Sequence, residues 1–209
     1  MEYTTIYGEL EEPLHNTMEH LVKRLQKELA SLAEKDGVSP AEHLKYRVKS
    51  DASMREKCRR DGLPETAESA LREIHDAIGL RIICRFPDEV YRIRERIASM
   101  DGIEIITEKD YIRHVKENGY RSYHMIIRFE GFFAEIQIRT ISMDTWAALE
   151  HEMRYKKNIH GNRKLIAEEL KRCADELAST DAKMQTIRWM IQQEEKQNEY
   201  SDRRGYERS

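Results

Sequence analysis

Between Glu130 and Thr140 the chain reads EGFFAEIQIRT, and its second half alternates strictly: Ile136 and Ile138 on one side, Glu135, Gln137 and Arg139 on the other. A period of two sends those two sets to opposite faces of a β-strand. The sheet that holds it must therefore bury one face and carry ionisable groups on the other. Glu130-Gly131 is a tight connection back to SYHMIIRF, so the two runs form a hairpin. Three more segments have strand character. In HLKYRVKS, Leu44, Tyr46 and Val48 oppose His43, Lys45, Arg47 and Lys49; GLRIICRF puts Arg81 and Arg85 on one face; IEIIT is short and apolar.

Helical spacing fills the gaps. Met18, Leu21, Val22, Leu25, Leu29 and Leu32 predict an amphipathic helix over roughly residues 13–34, ending before Gly37 and Pro40. SMREKCRR reads as a short helix with Ser53 as its N-cap, stopping at Asp61-Gly62. TAESALREIHDAI, DEVYRIRERIASM and MDTWAALEHEMRYK read as three more, the last with Trp146, Leu149 and Met153 on one side. After Gly161, the positions Ile166, Leu170, Cys173, Leu177, Thr180, Met184, Ile187 and Ile191 keep a 4-3 alternation, the seam of a long packed helix. Strands interleaved with helices and finished by a hairpin predict a five-stranded mixed β-sheet flanked by helices, an α+β or mixed α/β domain. Its expected limits are 41–157, with a helical extension at 1–40 and another at 158–209 that serves oligomerisation.

Charged residues make up 36% of the chain but nearly cancel, to a net charge of −3, so a global basic field for gripping duplex DNA is not expected. Any basic site must be local. No apolar run approaches the length of a membrane span, and MEYTTIYGELEE lacks the features of a signal peptide. A cytoplasmic location is the expectation, with no membrane partner. Cys58, Cys84 and Cys173 are odd in number and lack ligand-like spacing, which argues against disulfides and zinc.

Three strands carry charged faces where an ordinary sheet would alternate Ser, Thr and scattered Lys: Lys45/Arg47/Lys49, Arg81/Arg85 and Glu135/Gln137/Arg139. Any one of them alone reads as a solvated face. Side by side they make a basic floor suited to a polyphosphate, whose oxygens accept charge-assisted hydrogen bonds. Asp76 and Glu135 are the carboxylates nearest that floor, and a magnesium ion on nucleotide phosphates needs only one or two protein carboxylates. The plain alternative, that Asp76 ends its helix and Glu135 pairs with a neighbouring Arg, is not decided by spacing. His75-Asp76 spells the HD dipeptide of metal phosphohydrolases, but His43 is the only upstream candidate ligand, so the match reads as chance. In KENGYRSYH, Asn118-Gly119 permits a turn with positive φ. Tyr120 can offer a ring face to a base there, ringed by the donors Lys116, Arg121 and His124, while Tyr123 falls in phase with Met125 and Ile127 as a hydrophobic plug.

DAIGLRIICRF, KDYIRHVKENGYRSYH and AEIQIRTISMDTWAALEHEMRYK resemble the synthetase domain of the RelA/SpoT family, and the chain's length resembles its stand-alone small alarmone synthetases. The resemblance runs from about Tyr46 to Lys156. It implies a nucleotidyltransferase-like fold and transfer of the β,γ-diphosphate of ATP to the 3′-hydroxyl of GTP or GDP, giving pppGpp or ppGpp and AMP. Magnesium is the implied cofactor, with manganese as a substitute. It places Arg47 and Arg81 beside the adenine, and Lys49, Ser53, Lys57 and Arg60 along the ATP phosphates. Asp76 and Glu135 would hold the metal, with Glu135 also taking the proton of the attacking hydroxyl and Gln137 positioning the ribose. On the acceptor side it puts Tyr120 on the guanine, Lys116, Arg121 and His124 on phosphates, and Asp144 at the guanine edge, where some relatives carry Asn. Val115 departs from the pattern, since a proline often precedes the lysine. The resemblance also implies a homotetramer and synthesis without hydrolysis, and leaves open an RNA or alarmone regulator. The runner-up acceptor is the 3′ end of tRNA or an adenine nucleotide, as in toxin-type relatives.

Overall fold

The computed structural model describes residues 5–155 and 162–206, so the expected boundary at 157/158 lies outside the described residues. After a 3-10 turn at Gly8–Leu10 come α1 (Glu11–Asp36), β1 (Ala41–Val48) and α2 (Asp51–Asp61). A single π-helical turn, Ser69–Glu73, leads into β2 (Ile78–Cys84), followed by α3 (Pro87–Ala98) and β3 (Glu104–Asp110). The chain continues through β4 (Tyr123–Phe129), β5 (Phe132–Thr140), α4 (Ile141–Tyr155) and α5 (Arg163–Tyr206).

The five strands form one mixed sheet in the order β1-β2-β5-β4-β3. Only β2 and β5 run parallel; the other pairs are antiparallel. One face buries Leu80, Ile82, Ala134, Ile136, Ile138, Met125 and Ile127 against Leu14, Leu21 and Leu25 of α1 and Val90, Ile93 and Ile97 of α3, the alternation read from β5. Full burial of such aliphatic side chains is worth about 1.5–3 kcal/mol each, an upper estimate for area removed from water. Register then decides what meets on the other face. Lys45 opposes Arg81, Arg81 opposes Gln137, Gln137 opposes His124, and His124 opposes Lys109, so one polar rung crosses all five strands. The next rung runs Arg47, Gly79, Glu135, Ile126 and Thr107.

Three expectations need correction. TAESALREIHDAI is helical only over residues 67–73: after the π turn Ile74 is extended (φ −99°, ψ 117°) and buried, and the Ala77 carbonyl accepts from Lys49 N at 2.8 Å. Burial of Ile74 and pairing of the chain beyond it override helical spacing. Ser53 is not an N-cap, because α2 starts at Asp51 with Ser50 as its cap residue, and Ser53 lies inside the first turn. Arg85 leaves the basic floor: it sits past the end of β2, donating to the Ser39 carbonyl and lying 3.7 Å from Glu42. Tyr46 is 48% exposed because β1 is an edge strand whose outer part is only partly covered.

The seam of α5, which the spacing leaves free to meet the core or another subunit, is covered by its own domain only in part. The face that meets the domain carries Ala174 and Asp181, both buried, with Arg188 further along. Asp181 accepts from Thr140 Oγ1 (2.5 Å) and Ser142 Oγ (2.6 Å), and Arg188 reaches Asp88 and Glu89. Met184, Ile187 and Ile191, expected in a packed seam, are 49–52% exposed.

Candidate active site

The polar rungs floor a cleft of about 220 Å³ lined by Lys45, Tyr46, Arg47, Lys49, Asp76, Gly79, Leu80, Arg81, Glu135 and Gln137. Because paired residues share a face, Gly79 leaves the floor open between Arg47 and Glu135; a Cβ there would meet only the Arg47 carbonyl, at 3.9 Å. Lys49 follows β1, and Lys57 projects from α2. Both ammonium groups donate to Oδ2 of Asp76, at 2.6 Å each. The other oxygen, Oδ1, is buried and has no hydrogen-bond partner among the described residues. An orphaned carboxylate oxygen in a cleft is costly, and a bound cation would satisfy it. Among the described residues no cluster of three or more His, Cys, Asp or Glu could hold a metal unaided, so the fit is to an ion that brings phosphate oxygens and water with it. The HD dipeptide takes no part in a cluster of this kind: His75 bonds the Arg72 carbonyl and lies against the Phe133 ring.

Glu135 stands on the far side of this floor. Its Oε1 meets His124 Nδ1 at 3.0 Å and its Oε2 accepts from Gln137 Nε2 at 2.9 Å. Burial is the largest influence on its pKa and acts upward. The hydrogen bond and charge of His124, then the donor from Gln137 and the charge of Lys57, outweigh it and hold the carboxyl at about 2. The group is thus an ionised acceptor inside a partly dry cleft.

Beyond Glu135 the acceptor loop folds over the sheet. The Tyr120 hydroxyl lies 2.8 Å from His124 Nε2, and Tyr111, Tyr120 and His124 meet edge to face, with centroids 5.2–6.1 Å apart. Lys116 Nζ sits 4.3 Å from the Tyr111 ring centroid and 5.0 Å from that of Tyr120. Tyr111 was not among the residues expected here; an aromatic just after β3 carries no distinguishing signal in the sequence.

The expected residues do not all converge. Arg47, Lys49, Asp76, Arg81, Glu135 and Gln137 line one cleft, and Lys57 reaches it through Asp76. Ser53 faces Ser50 at the head of α2 (2.9 Å). Arg60 is 68% exposed on Asp61 and outside the cleft lining. Arg121 turns away from the floor, donating to Asp175 of α5 (2.7 Å) and to the Gly119 carbonyl (3.0 Å). Asp144, at the start of α4, accepts from Arg81 (3.0 Å) and Arg139 (3.3 Å), with Lys45 at 3.5 Å. It therefore bridges the two halves of the site. Arg81 Nε is buried without a partner, a second orphan pointing to a missing acceptor.

The family profile described as a region found in RelA and SpoT proteins matches residues 46–160. The GTP pyrophosphokinase YwaC of Bacillus subtilis is 42% identical over 160 residues, 73% of this chain and 76% of that protein. The GTP pyrophosphokinase YjbM of the same organism is 34% identical over 192 residues, 87% of this chain and 88% of that one. Among solved structures, small alarmone synthetase 1 from Bacillus subtilis bound to its product pppGpp superposes with a TM-score of 0.75 at 31% identity, covering 86% of this chain and 95% of that one.

Proposed function

The chain belongs to the RelA/SpoT family, and from that premise we propose that it transfers the β,γ-diphosphate of ATP to the 3′-hydroxyl of GTP or GDP, making pppGpp or ppGpp and AMP. The observation that carries this reading is the placement of an ionised Glu135 between a lysine-bound Asp76 on one side and an aromatic cradle on the other. A diphosphate transfer needs a hydroxyl and a phosphorus brought into line, with charge neutralised around them and little covalent work by the protein. Arg47 and Arg81 are assigned to the donor base, and Lys49, Lys57 and Ser53 to its phosphates. Arg60, on the outer turn of α2, meets the phosphates only by leaving Asp61. On the acceptor side, Tyr120 stacks on guanine after Lys116 swings onto phosphate, Gln137 positions the sugar end, and His124, expected on phosphate, has both ring nitrogens engaged by Tyr120 and Glu135 and reaches phosphate only by releasing one of them. Asp144 reads the guanine edge by exchanging its arginine partners for the base, and Arg121 steadies the loop from below.

Asp76 and Glu135 are the residues that would hold a magnesium ion, which when bound neutralises phosphate charge and sharpens the electrophile. Glu135 is ionised throughout the neutral range and so is free to orient the 3′-hydroxyl and take its proton as the O–P bond forms, although a carboxyl held this low is a weak base. We further propose that the protein is a homotetramer, because Met184, Ile187, Trp189, Met190 and Ile191 of α5 are 45–59% exposed, too much apolar surface to leave in water. No helix among the described residues is long and apolar enough to cross a membrane.

The test is to incubate purified protein with labelled ATP and, separately, GDP, GTP, tRNA or nothing, and to resolve the products. A guanosine 3′-diphosphate product with stoichiometric AMP is expected. Label transferred only to tRNA, or only among adenine nucleotides, would replace the acceptor; no transfer at all would end the proposal.

A further inference from the structure

Arg139 is the most enclosed cation of the site, 4% exposed, and burial works against its charge. Its alternation with Glu135 and Gln137 put it on the floor, yet nothing in the sequence distinguished it from the other arginines there. In the structure its guanidinium is almost fully used. Nε donates to Ser122 Oγ at 3.2 Å and Nη1 to Asp144 Oδ1 at 3.3 Å, while Nη2 donates to Tyr120 Oη at 2.5 Å and to Gln137 Oε1 at 2.7 Å. Those partners lie on the acceptor loop, on β5 and on α4. A buried arginine with a purely structural role needs only satisfied donors, and backbone carbonyls would serve. Here three of the four partners are groups assigned above to the acceptor nucleotide or its sugar.

An arginine can only donate, so the Tyr120 oxygen accepts from Arg139. The same oxygen lies 2.8 Å from His124 Nε2, which ties the imidazole to the Tyr120 hydroxyl. The other ring nitrogen, Nδ1, faces Glu135 Oε1 at 3.0 Å and donates to that carboxylate. On the second path Gln137 Oε1 accepts from Arg139, so its amide nitrogen is the end that points to Glu135 Oε2, at 2.9 Å. Both groups that donate to the carboxylate are thus tied to one guanidinium, Gln137 directly and His124 through Tyr120.

We propose that Arg139 is a positioning residue for the transfer reaction: it sets the pose of the Tyr120 ring and the donor direction of His124 and Gln137 toward Glu135, and so governs use of the acceptor but not binding of the donor. This rests on the functional reading above. Lysine cannot replace it, because a single ammonium lacks the planar fork that serves separate partners.

The experiment compares wild type, Arg139→Lys, Arg139→Met, Tyr120→Phe and the double variant Tyr120→Phe/Arg139→Met. Steady-state kinetics are run with GDP, affinity for a non-hydrolysable ATP analogue is measured by calorimetry, and folding is checked by thermal melt. Both Arg139 variants should lose about thirtyfold or more in kcat/KM for GDP, the effect of severing several charge-assisted bonds. Their affinity for the ATP analogue should stay within about threefold of wild type. Tyr120→Phe keeps the ring but cuts one path, and should cost about tenfold in wild type and less than about twofold on top of Arg139→Met. Should the Arg139 variants fail to fold, Tyr120→Phe decides alone, since unchanged GDP kinetics there overturn the proposal. Equal loss of donor and acceptor binding, full activity of Arg139→Lys, or additive losses in an active wild-type background overturn it while leaving the functional reading intact. A wild-type protein that makes no guanosine product overturns both.

Discussion

Glu135 is a carboxylate that is partly buried and yet easier to ionise than one in water. Its pKa falls from an ordinary 4.5 to about 2 because donors on both oxygens and a nearby lysine outweigh the cost of burial. The sign of the linkage follows. A depressed carboxylate stabilises the fold fully above its ordinary value, and that contribution is lost as pH falls toward the folded value. Glu135→Gln should therefore flatten the dependence of the unfolding midpoint on pH between about 4.5 and 2, which a series of melts would show. The same variant should lower turnover by about a hundredfold or more while still binding an ATP analogue; near-normal turnover would remove Glu135 from the chemistry. The face on which this residue sits was legible from FFAEIQIRT alone. Its neighbours across the sheet were not, because alternation fixes a face while register, set by the whole sheet, decides that His124 and Gln137 share a rung. Asp144 shows the same limit: resemblance put it at the guanine, and only the folded chain shows it also holding Arg81 and Arg139.

Among the elements, the acceptor loop is the one most tightly specified. Gly119 has φ +88°, and a Cβ built on it would lie 2.7 Å from the Ala174 Cβ and 3.2 Å from the Lys171 Cα, both in α5. The turn propensity of Asn118-Gly119 was plain in the sequence; its contact with a helix more than fifty residues away was not. Gly119→Ala combines a left-handed backbone with an overlap against another main chain. It should destabilise by about 2–4 kcal/mol, the sum of the two penalties, and raise KM for the guanine nucleotide more than that for ATP. A thermal melt beside two substrate titrations checks both parts. The π turn at Ser69–Glu73 teaches the opposite lesson. Helical spacing there was real, but Ile74 is extended and buried, and the following turn delivers Asp76 between Lys49 and Lys57. Tertiary contacts won over local periodicity at the point where the site required a carboxylate.

At the level of the whole molecule, α5 runs for 44 residues, about 66 Å of helix. Its early turns are tied down by Trp146 Nε1 on the Leu170 carbonyl (2.8 Å), by Arg121 on Asp175 and by Asp181 on Thr140. Its later turns expose Ile187, Trp189, Met190 and Ile191. The 4-3 spacing correctly announced a long helix with an apolar stripe but not which stripe its own domain would cover, because small and polar residues do that packing here. Ile187→Glu places a charge in the uncovered stripe and should shift the protein to a smaller species in analytical ultracentrifugation, with ATP-analogue binding unchanged. An unaltered sedimentation coefficient would refute subunit packing through this face. The ground under the loop that carries Gly119 and Arg121 is the near end of that same rod, where Gly119 packs on Lys171 and Ala174 and Arg121 grips Asp175. If subunits pack through the later turns as proposed, any shift of that end of the rod is carried by one unbroken helix to the turn that Gly119 and Arg121 anchor on it.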